Sequence, residues 1–316
     1  MVECCLHTAE VTGSNPVVPI HTEPSAVELL TAFYFGVPMF EPLKPIITAH
    51  LYPQLEQLLL ELLRSLNADE WEQPTLAPGW RVKDVAAHLL DTQLRRLSLA
   101  RDGYAPEPPA IASNADLVAF INRLNAAGVA QYRRLSPRVL IALLEAAARE
   151  CSEHFQALDP FAKAAFAVSW AGEAESENWF DSAREFTERW HHQQQIRLAV
   201  NKPGIMTRTL YRPVLATFMR ALPFHYRQLE RAPGALAQFD VTGDCGGTWY
   251  LFLEPEGWKL SAEPARERLT HVSIPQEIAW RIFTKGIDRQ NASAQISVNG
   301  DRELGMHVLS MLAIIG

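Results

Sequence analysis

The sequence is poor in cysteine and has no long uninterrupted apolar run. Four of its 316 residues are cysteines, and they form neither a Cys-x-x-Cys pair nor the spacing of a disulfide-stabilised scaffold. This usage fits a reducing compartment, so we expect a cytoplasmic protein. The most apolar stretches, such as Leu55–Leu66, are interrupted by Glu and Arg well before the ~20 residues that cross a bilayer. The sequence therefore predicts neither a disulfide framework nor a membrane span.

The sequence also lacks an excess of basic residues. Lys and Arg number 29 against 36 Asp and Glu, which gives a formal charge of −7. Residues 1–205 carry 17 basic and 25 acidic side chains (−8), whereas residues 206–316 carry 12 and 11 (+1). Without a basic surface there is no counterion release to drive binding to DNA or RNA. We therefore expect no nucleic-acid partner, and the oligomeric state stays open.

The length is about twice that of a typical ~150-residue domain, which predicts two domains. Residues 1–40 differ from the rest and are interpreted as a loose N-terminal extension. The string from Thr12 to Val17 resembles a conceptually translated tRNA gene. Two interpretations stay open, a start placed too far upstream, with Met39 as the natural beginning, or a real but loose tail. In either case we expect residues 1–38 to be dispensable for folding.

Residues 41–205 have the pattern of a four-helix bundle. From Leu43 to Leu66, leucine and isoleucine recur at steps of three and four, the period of a helix packed on one face. Further helices are predicted from near Val82, over 116–155 with a break at Pro137, and over 181–200. The interior of such a bundle is a common place for metals held by side chains on facing helices.

Residues 206–316 form a smaller domain in which short strands alternate with helices. A helix is predicted over 214–229, and the segments after it break at glycines. Strands are predicted over 238–242, 248–253, 258–261 and 295–298, and helices over 275–283 and 302–314. The fold class is therefore mainly α, with a bundle followed by an α+β domain.

Two places in the predicted bundle carry residues that bind metals. His88 lies in the first turns of the second helix, and Glu188 and His192 are spaced i, i+4 on the fourth, which places them on one helix face. Two imidazoles and one carboxylate suit zinc or a similar divalent ion and leave a coordination position open. The spacing alone leaves alternatives open, because a Glu-x-x-x-His pair also occurs as a solvated contact. His191 is a competing ligand, although it points about 100° away from His192 around the helix.

Other acidic residues near this set have two interpretations. Asp84, Asp91 and Glu185 are each candidates for a ligand or for a partner of a ligand. For Asp84 and Asp91 a helix cap and a surface position are favoured. The spacing does not decide between these roles.

The motifs around these residues resemble those of a known family. Pro78-Gly79-Trp80, followed by Asp84 and then His88-Leu89, resembles the signature of the mycothiol-dependent maleylpyruvate isomerase family, in the DinB/YfiT-like metalloenzyme superfamily. The helix with Glu188, His192, Gln195 and Arg197 resembles the family's Glu-x-x-x-His-x-x-Asp-x-Arg motif. The similarity covers about 43–203, and a weaker one links residues 206–316 to the accompanying C-terminal domain, which has a fold like that of the sterol-carrier proteins.

The resemblance implies a DinB-like bundle with a metal, most simply zinc, held by His88, Glu188 and His192. It also implies that the protein uses a low-molecular-weight thiol, mycothiol or an equivalent, to isomerise or modify a small electrophile similar to maleylpyruvate. A metal ion favours thiolate over thiol and so provides a nucleophile at neutral pH. No protein residue is assigned a catalytic role.

Gln195 departs from the family pattern, because many relatives carry Asp at this position. The change removes a negative charge near the site and favours an alternative, a non-catalytic metal- or ligand-binding protein of the same fold. Arg281, Lys285 and His225 are candidates for binding an anionic substrate, although surface positions explain them as well. Trp80 and Trp190 flank the proposed ligands in sequence and are candidates for lining the site, although packing in the core is the favoured role of the tryptophans.

Overall fold

The structure is a computed structural model that describes residues 43–105, 111–264 and 267–314. The predicted extension over residues 1–40 lies outside the described residues. The described residues belong to one compact unit. Among the described residues, no helix is both long and apolar enough to cross a membrane.

Five long helices make up the first part of this unit. They are α1 (Tyr52–Arg64), α2 (Val82–Arg96), α3 (Asn114–Tyr132), α4 (Pro137–Ala157) and α5 (Asn178–Ala199). Helices α1, α2, α4 and α5 pack on one another as a four-helix bundle, and α3 lies against α2. A short helix at Ala68–Trp71 precedes α2, and a π-helical turn at Leu97–Arg101 follows it.

Local sequence signals set the ends of these helices. The Ser113 side chain accepts the Asp116 N–H at the start of α3, and Ser136 accepts the Val139 N–H at the start of α4. Pro137 occupies the first turn of α4, where its missing N–H does no harm. The break predicted at Pro137 therefore separates two helices, of which only α4 belongs to the bundle.

The second part of the unit is a five-stranded sheet with helices. Its strands are β1 (Leu236–Thr242), β2 (Gly247–Glu254), β3 (Gly257–Ser261), β4 (Thr270–Pro275) and β5 (Ser297–Gly300), in the spatial order β3-β2-β1-β4-β5. The β1–β4 pair is parallel and the other pairs are antiparallel. The helices are α6 (Arg208–Met219), α7 (Leu222–Tyr226), α8 (Gln276–Phe283) and α9 (Arg302–Met306), with a short helix at Arg289–Ser293 and a 3-10 turn at His307–Ser310.

The mainly α fold class, with a helical bundle and a smaller α+β part, is confirmed. The prediction missed strand β4, although its alternation of buried Val272 and Ile274 with partly exposed His271 and Ser273 is a strand signal. The final helix was predicted too long, because the chain changes to a 3-10 turn after Met306. The predicted strand over 295–298 begins at Ser297 instead.

The two parts share a hydrophobic core. Trp190 of α5 stacks on Tyr211 of α6 with 4.3 Å between ring centroids and meets the edge of Trp280 of α8 at 6.1 Å. All three rings are buried, and the Trp190 indole N–H donates to the Ile205 carbonyl. The packing of the bundle and that of the α+β part are therefore continuous through these aromatic rings.

Candidate metal centre

Helices α2 and α5 run antiparallel, which places His88 beside His192. At one end of the pair, the His88 and His192 rings meet edge to face with 4.6 Å between their centroids. At the other end, Arg96 of α2 donates to Asp181 in the first turn of α5. The antiparallel alignment therefore brings together two of the predicted ligands from distant parts of the sequence.

Glu188 lies one helical turn before His192 and on the same face. Its Oε2 atom is 3.8 Å from Nε2 of His192. Two ligands at the ~2.0–2.1 Å zinc distance are roughly 3.3 Å apart in a tetrahedral site, so a small movement would let both atoms bind one ion. The carboxylate keeps about a quarter of its surface exposed, whereas both imidazoles are largely buried. The set is therefore reached by solvent from the side of Glu188.

The competing ligand His191 also lies at this site. Its Nδ1 atom is 3.6 Å from Oε2 of Glu188, and its ring is 4.0 Å from that of His192. The three residues Glu188, His191 and His192 place potential ligand atoms within 4.8 Å of one another. The Nδ1 atom of His191 also lies 3.1 Å from the Thr187 carbonyl, to which a protonated Nδ1 donates. The angular separation of neighbouring residues on a helix therefore does not remove His191 from the site.

Burial shifts the protonation of these side chains. Loss of hydration raises the pKa of Glu188 to about 7, although the Arg184 guanidinium opposes the shift. Loss of hydration lowers the pKa of His192 to about 4 and holds the pKa values of His88 and His191 well below the usual range. At neutral pH all three imidazoles are therefore uncharged, the form in which a histidine binds a metal.

One polar atom at the site has no hydrogen-bond partner. Nδ1 of His88 is buried and unpaired, and burying such an atom without a partner is unfavourable. Nδ1 of His192, in contrast, lies 3.0 Å from the side-chain oxygen of Gln195. The neutral imidazoles of His88 and His192 on facing helices, with the Glu188 carboxylate one turn before His192, are donors that suit a divalent ion. The residues present thus fit the metal that the sequence predicts.

The structure gives the contacts of three further residues near the proposed ligands. Trp80 covers one side of the site, with its ring centroid 4.9 Å from that of His88 and 6.4 Å from that of His192. Asp84 accepts the Arg81 N–H at the start of α2 and pairs with Arg133, so it acts as a helix cap. Asp91 pairs with Arg95 one turn along the same helix. Neither of these two aspartates occurs in the cluster of potential ligand atoms, and His88, which meets this cluster through its ring contact with His192, lies outside it as well.

Beside the site lies a group of buried ion pairs that the sequence analysis missed. Arg96 donates to Asp181 at 2.7 Å and to Glu185 at 3.1 Å. Arg189 donates to Glu56 at 2.6 Å. Together with Arg184, which also bonds Asp181, these residues place three positive and three negative charges inside the bundle. Glu185 therefore neutralises arginines, whereas the sequence left open whether it binds the metal.

The other candidate residues bond or pack away from this cluster. Trp190 packs in the core with Tyr211, so it does not line the site as its place in the sequence suggested. Arg281 donates to the Gly286 carbonyl, and His225 lies 3.0 Å from the His307 carbonyl. These contacts lie within the α+β part. In the bundle, Arg95 and Arg184 are close enough to affect the pKa values of His88 and Glu188.

Comparison with known proteins agrees with the motifs at this site. Residues 52–197 match the family model described as the mycothiol maleylpyruvate isomerase N-terminal domain. This segment belongs to that domain family. The family prediction is therefore confirmed for this segment. The match spans helices α1 to α5 and includes all three predicted ligands.

Solved structures give weaker similarities, and a search of curated proteins gives no match. A mutant form of the mycothiol-dependent maleylpyruvate isomerase aligns over 79% of this chain and 91% of its own, with 14% identity and a TM-score of 0.47. Another crystal structure of that enzyme aligns over 74% and 86%, with 14% identity and a TM-score of 0.42. Both TM-scores are below 0.5, so the family assignment rests on the match of residues 52–197.

Proposed function

We propose that the chain is a divalent-metal enzyme that uses a low-molecular-weight thiol to isomerise or modify a small electrophile. The observation that carries the proposal is that His88 and Glu188 both lie beside His192 inside the segment that matches the family. Zinc is the ion that two imidazoles and one carboxylate favour. Mycothiol is the thiol, and a maleylpyruvate-like compound the substrate, that the family description supports.

A bound divalent ion would stabilise a thiolate at neutral pH. In isomerisation, the sulfur bonds to one carbon of an activated double bond, and the π electrons move to the conjugated carbonyl oxygen. Rotation about the resulting single bond and expulsion of the thiolate then give the trans isomer. In a transfer reaction, the new carbon–sulfur bond is kept, and the other carbon of the former double bond takes a proton.

The nucleophile in this proposal comes from the small thiol. Both described cysteines are buried, Cys151 against the Gln93 carbonyl and Cys245 against the Met206 carbonyl. Burial raises the pKa of each thiol, which keeps it protonated and unreactive. The proposed partners are therefore a thiol and a small-molecule substrate. The cysteine usage favours the cytoplasm as the place where they meet.

The alternative is a metal- or ligand-binding protein of the same fold without turnover. The neutral side chain of Gln195 favours it, because an amide offsets less of a metal's charge than a carboxylate does. Under this alternative the three ligands still bind an ion, and no substrate is converted.

Metal analysis of the full-length protein tests the ligand set. We expect about one divalent ion per chain, and His192→Ala should lose most of it. His50→Ala, at an exposed histidine outside the site, is the matched control and should bind as wild type does. If His191→Ala loses the ion and His192→Ala keeps it, His191 is the true ligand and the proposed set is wrong.

Turnover distinguishes the two functions. The metal-loaded and metal-free full chains are assayed for isomerisation of maleylpyruvate with mycothiol, glutathione or cysteine. Turnover that needs both the metal and a thiol supports the enzyme. Metal-independent turnover would contradict the mechanism, and metal binding without any turnover would favour the alternative.

A further inference from the structure

Gln195 makes a direct contact with His192, one of the proposed metal ligands. Gln195 lies three residues after His192 on α5 and is buried. Its side-chain oxygen is 3.0 Å from Nδ1 of His192. An amide oxygen can only accept a hydrogen bond, so this contact is a hydrogen bond in the tautomer whose Nδ1 carries the hydrogen. The lone pair of His192 is then on Nε2, the atom that faces Glu188 at 3.8 Å.

We infer that Gln195 is a positioning residue that fixes the tautomer and orientation of His192, an inference that rests on the proposed metal site. A neutral imidazole carries its hydrogen on either nitrogen, and only a bare nitrogen can bind a metal. An acceptor at Nδ1 keeps Nε2 bare and holds the ring in place before the ion arrives. His88, whose Nδ1 has no partner, lacks this support.

The neutrality of Gln195 has a separate consequence. With uncharged imidazoles and one carboxylate, the donor set would carry a single negative charge once Glu188 has lost its proton to bind an ion. A carboxylate at position 195 would add a second and would pull the Nδ1 hydrogen more strongly, which makes Nε2 a better donor. The amide therefore orients His192 without this added charge, and Gln195→Glu should bind a divalent ion more tightly than wild type.

The tautomer of His192 is measured directly in the metal-free full-length protein. Nitrogen chemical shifts of labelled histidines distinguish a hydrogen on Nδ1 from one on Nε2, and His192→Ala identifies the signal. We expect the Nδ1–H form in wild type and a mixture of both forms in Gln195→Leu. Gln194→Leu changes the same residue type at a buried neighbouring position and should leave the His192 signal unchanged. A His192 with its hydrogen on Nε2 in wild type, or an unchanged tautomer in Gln195→Leu, overturns the inference.

Zn²⁺ affinity provides the second measurement, made by competition with a chromophoric chelator. Gln195→Leu should bind about 10- to 100-fold more weakly, the range seen when a partner of a metal-binding histidine is removed. Gln195→Glu should bind more tightly than wild type, and Gln194→Leu should match wild type. Equal affinity of Gln195→Leu and wild type overturns the role of Gln195. Failure of wild type to bind Zn²⁺ overturns the proposed function instead, and the tautomer measurement distinguishes the two failures.

Discussion

At the scale of single residues, the bundle interior holds charged side chains that neutralise one another. Arg96 and Arg189 lie within the core and pair with Asp181, Glu185 and Glu56. The rings of Tyr52 and Phe155 pack against the guanidinium groups. The Cζ atom of Arg189 lies 4.9 Å from the ring centroid of Tyr52, and that of Arg96 lies 5.3 Å from the ring centroid of Phe155. A buried pair of this kind is costly to break, because the remaining charge cannot regain its hydration.

Arg96→Met should therefore destabilise the protein strongly. The substitution leaves Glu185 without its closest cation and Asp181 with Arg184 alone, so we expect a loss of about 3–5 kcal/mol in the free energy of unfolding. Arg101→Met is the control, because its partners Asp102 and Glu150 are exposed and such pairs contribute about 0–1 kcal/mol. Urea unfolding measures both variants, and equal losses would show that burial of the Arg96 pairs adds nothing.

The same network predicts how stability depends on pH. Burial alone would raise the pKa of Glu185, but the guanidinium groups of Arg96 and Arg189 outweigh it and lower the value to about 2. A carboxyl whose folded pKa is depressed contributes stability above its unfolded pKa, here about 4.5, and loses it as the pH falls towards 2. We expect the free energy of unfolding in urea to decrease over this window.

Glu185→Gln cannot bind or release a proton at this position, so its unfolding free energy should change less between pH 4.5 and pH 2. The comparison is made as a slope, since the substitution also lowers stability at every pH by leaving Arg96 with fewer partners. Equal slopes for wild type and Glu185→Gln would assign the pH dependence to other carboxyls.

At the scale of elements, the contact of α2 with α3 depends on a glycine. A Cβ atom at Gly128 of α3 would lie 2.2 Å from Cγ of Asp91 on α2. Asp91 cannot move freely, because Arg95 donates to it at 2.8 Å and is itself bonded to Asn125 of α3. The close approach of the two helices therefore requires the absence of a side chain at position 128.

Gly128→Ala should destabilise the protein by about 1–3 kcal/mol, although alanine favours a helix over glycine by about 1 kcal/mol. Thermal and urea unfolding measure the change. In an Asp91→Ala background the clash is gone, and the same substitution should become neutral or stabilising. A stabilising Gly128→Ala in the wild-type background would show that the helices separate without loss.

At the scale of the whole molecule, the shared aromatic core predicts that the bundle and the α+β part unfold together. Trp190→Ala removes a ring that packs on Tyr211 and Trp280, and it should lower the free energy of unfolding by about 3–5 kcal/mol. Trp179→Ala, at a partly exposed ring on the same helix, should lose only about 1 kcal/mol.

Helical circular dichroism and the exchange of amides in strands β1 and β4 follow the two parts separately. Both probes should give one transition at the same urea concentration in wild type, and both should shift together in Trp190→Ala. A shift of the helical signal alone would show that the two parts are independent. The predicted boundary near residue 205 would then separate two domains that fold on their own.

The sequence by itself determined the bundle helices, most of the strands and the candidate ligands. Apolar periodicity places the bundle helices, and the spacing of Glu188 and His192 puts both on one helix face, because a helix fixes the angle between residues three or four apart. The motifs at Trp80, His88 and Glu188 also carried enough information to identify the family. These signals are local, because each depends only on residues within one helix or one short motif.

Only the tertiary structure decided what these residues contact. The antiparallel alignment of α2 with α5 brings His88 to His192, and side-chain conformation brings His191 to the same site despite its angle on the helix. Trp190, a neighbour of the proposed ligands in the sequence, packs in the core with Tyr211. Strand β4 pairs in parallel with β1, although β2 and β3 lie between them in the sequence. Contacts of this kind depend on how distant segments pack, which the period of a single segment does not specify.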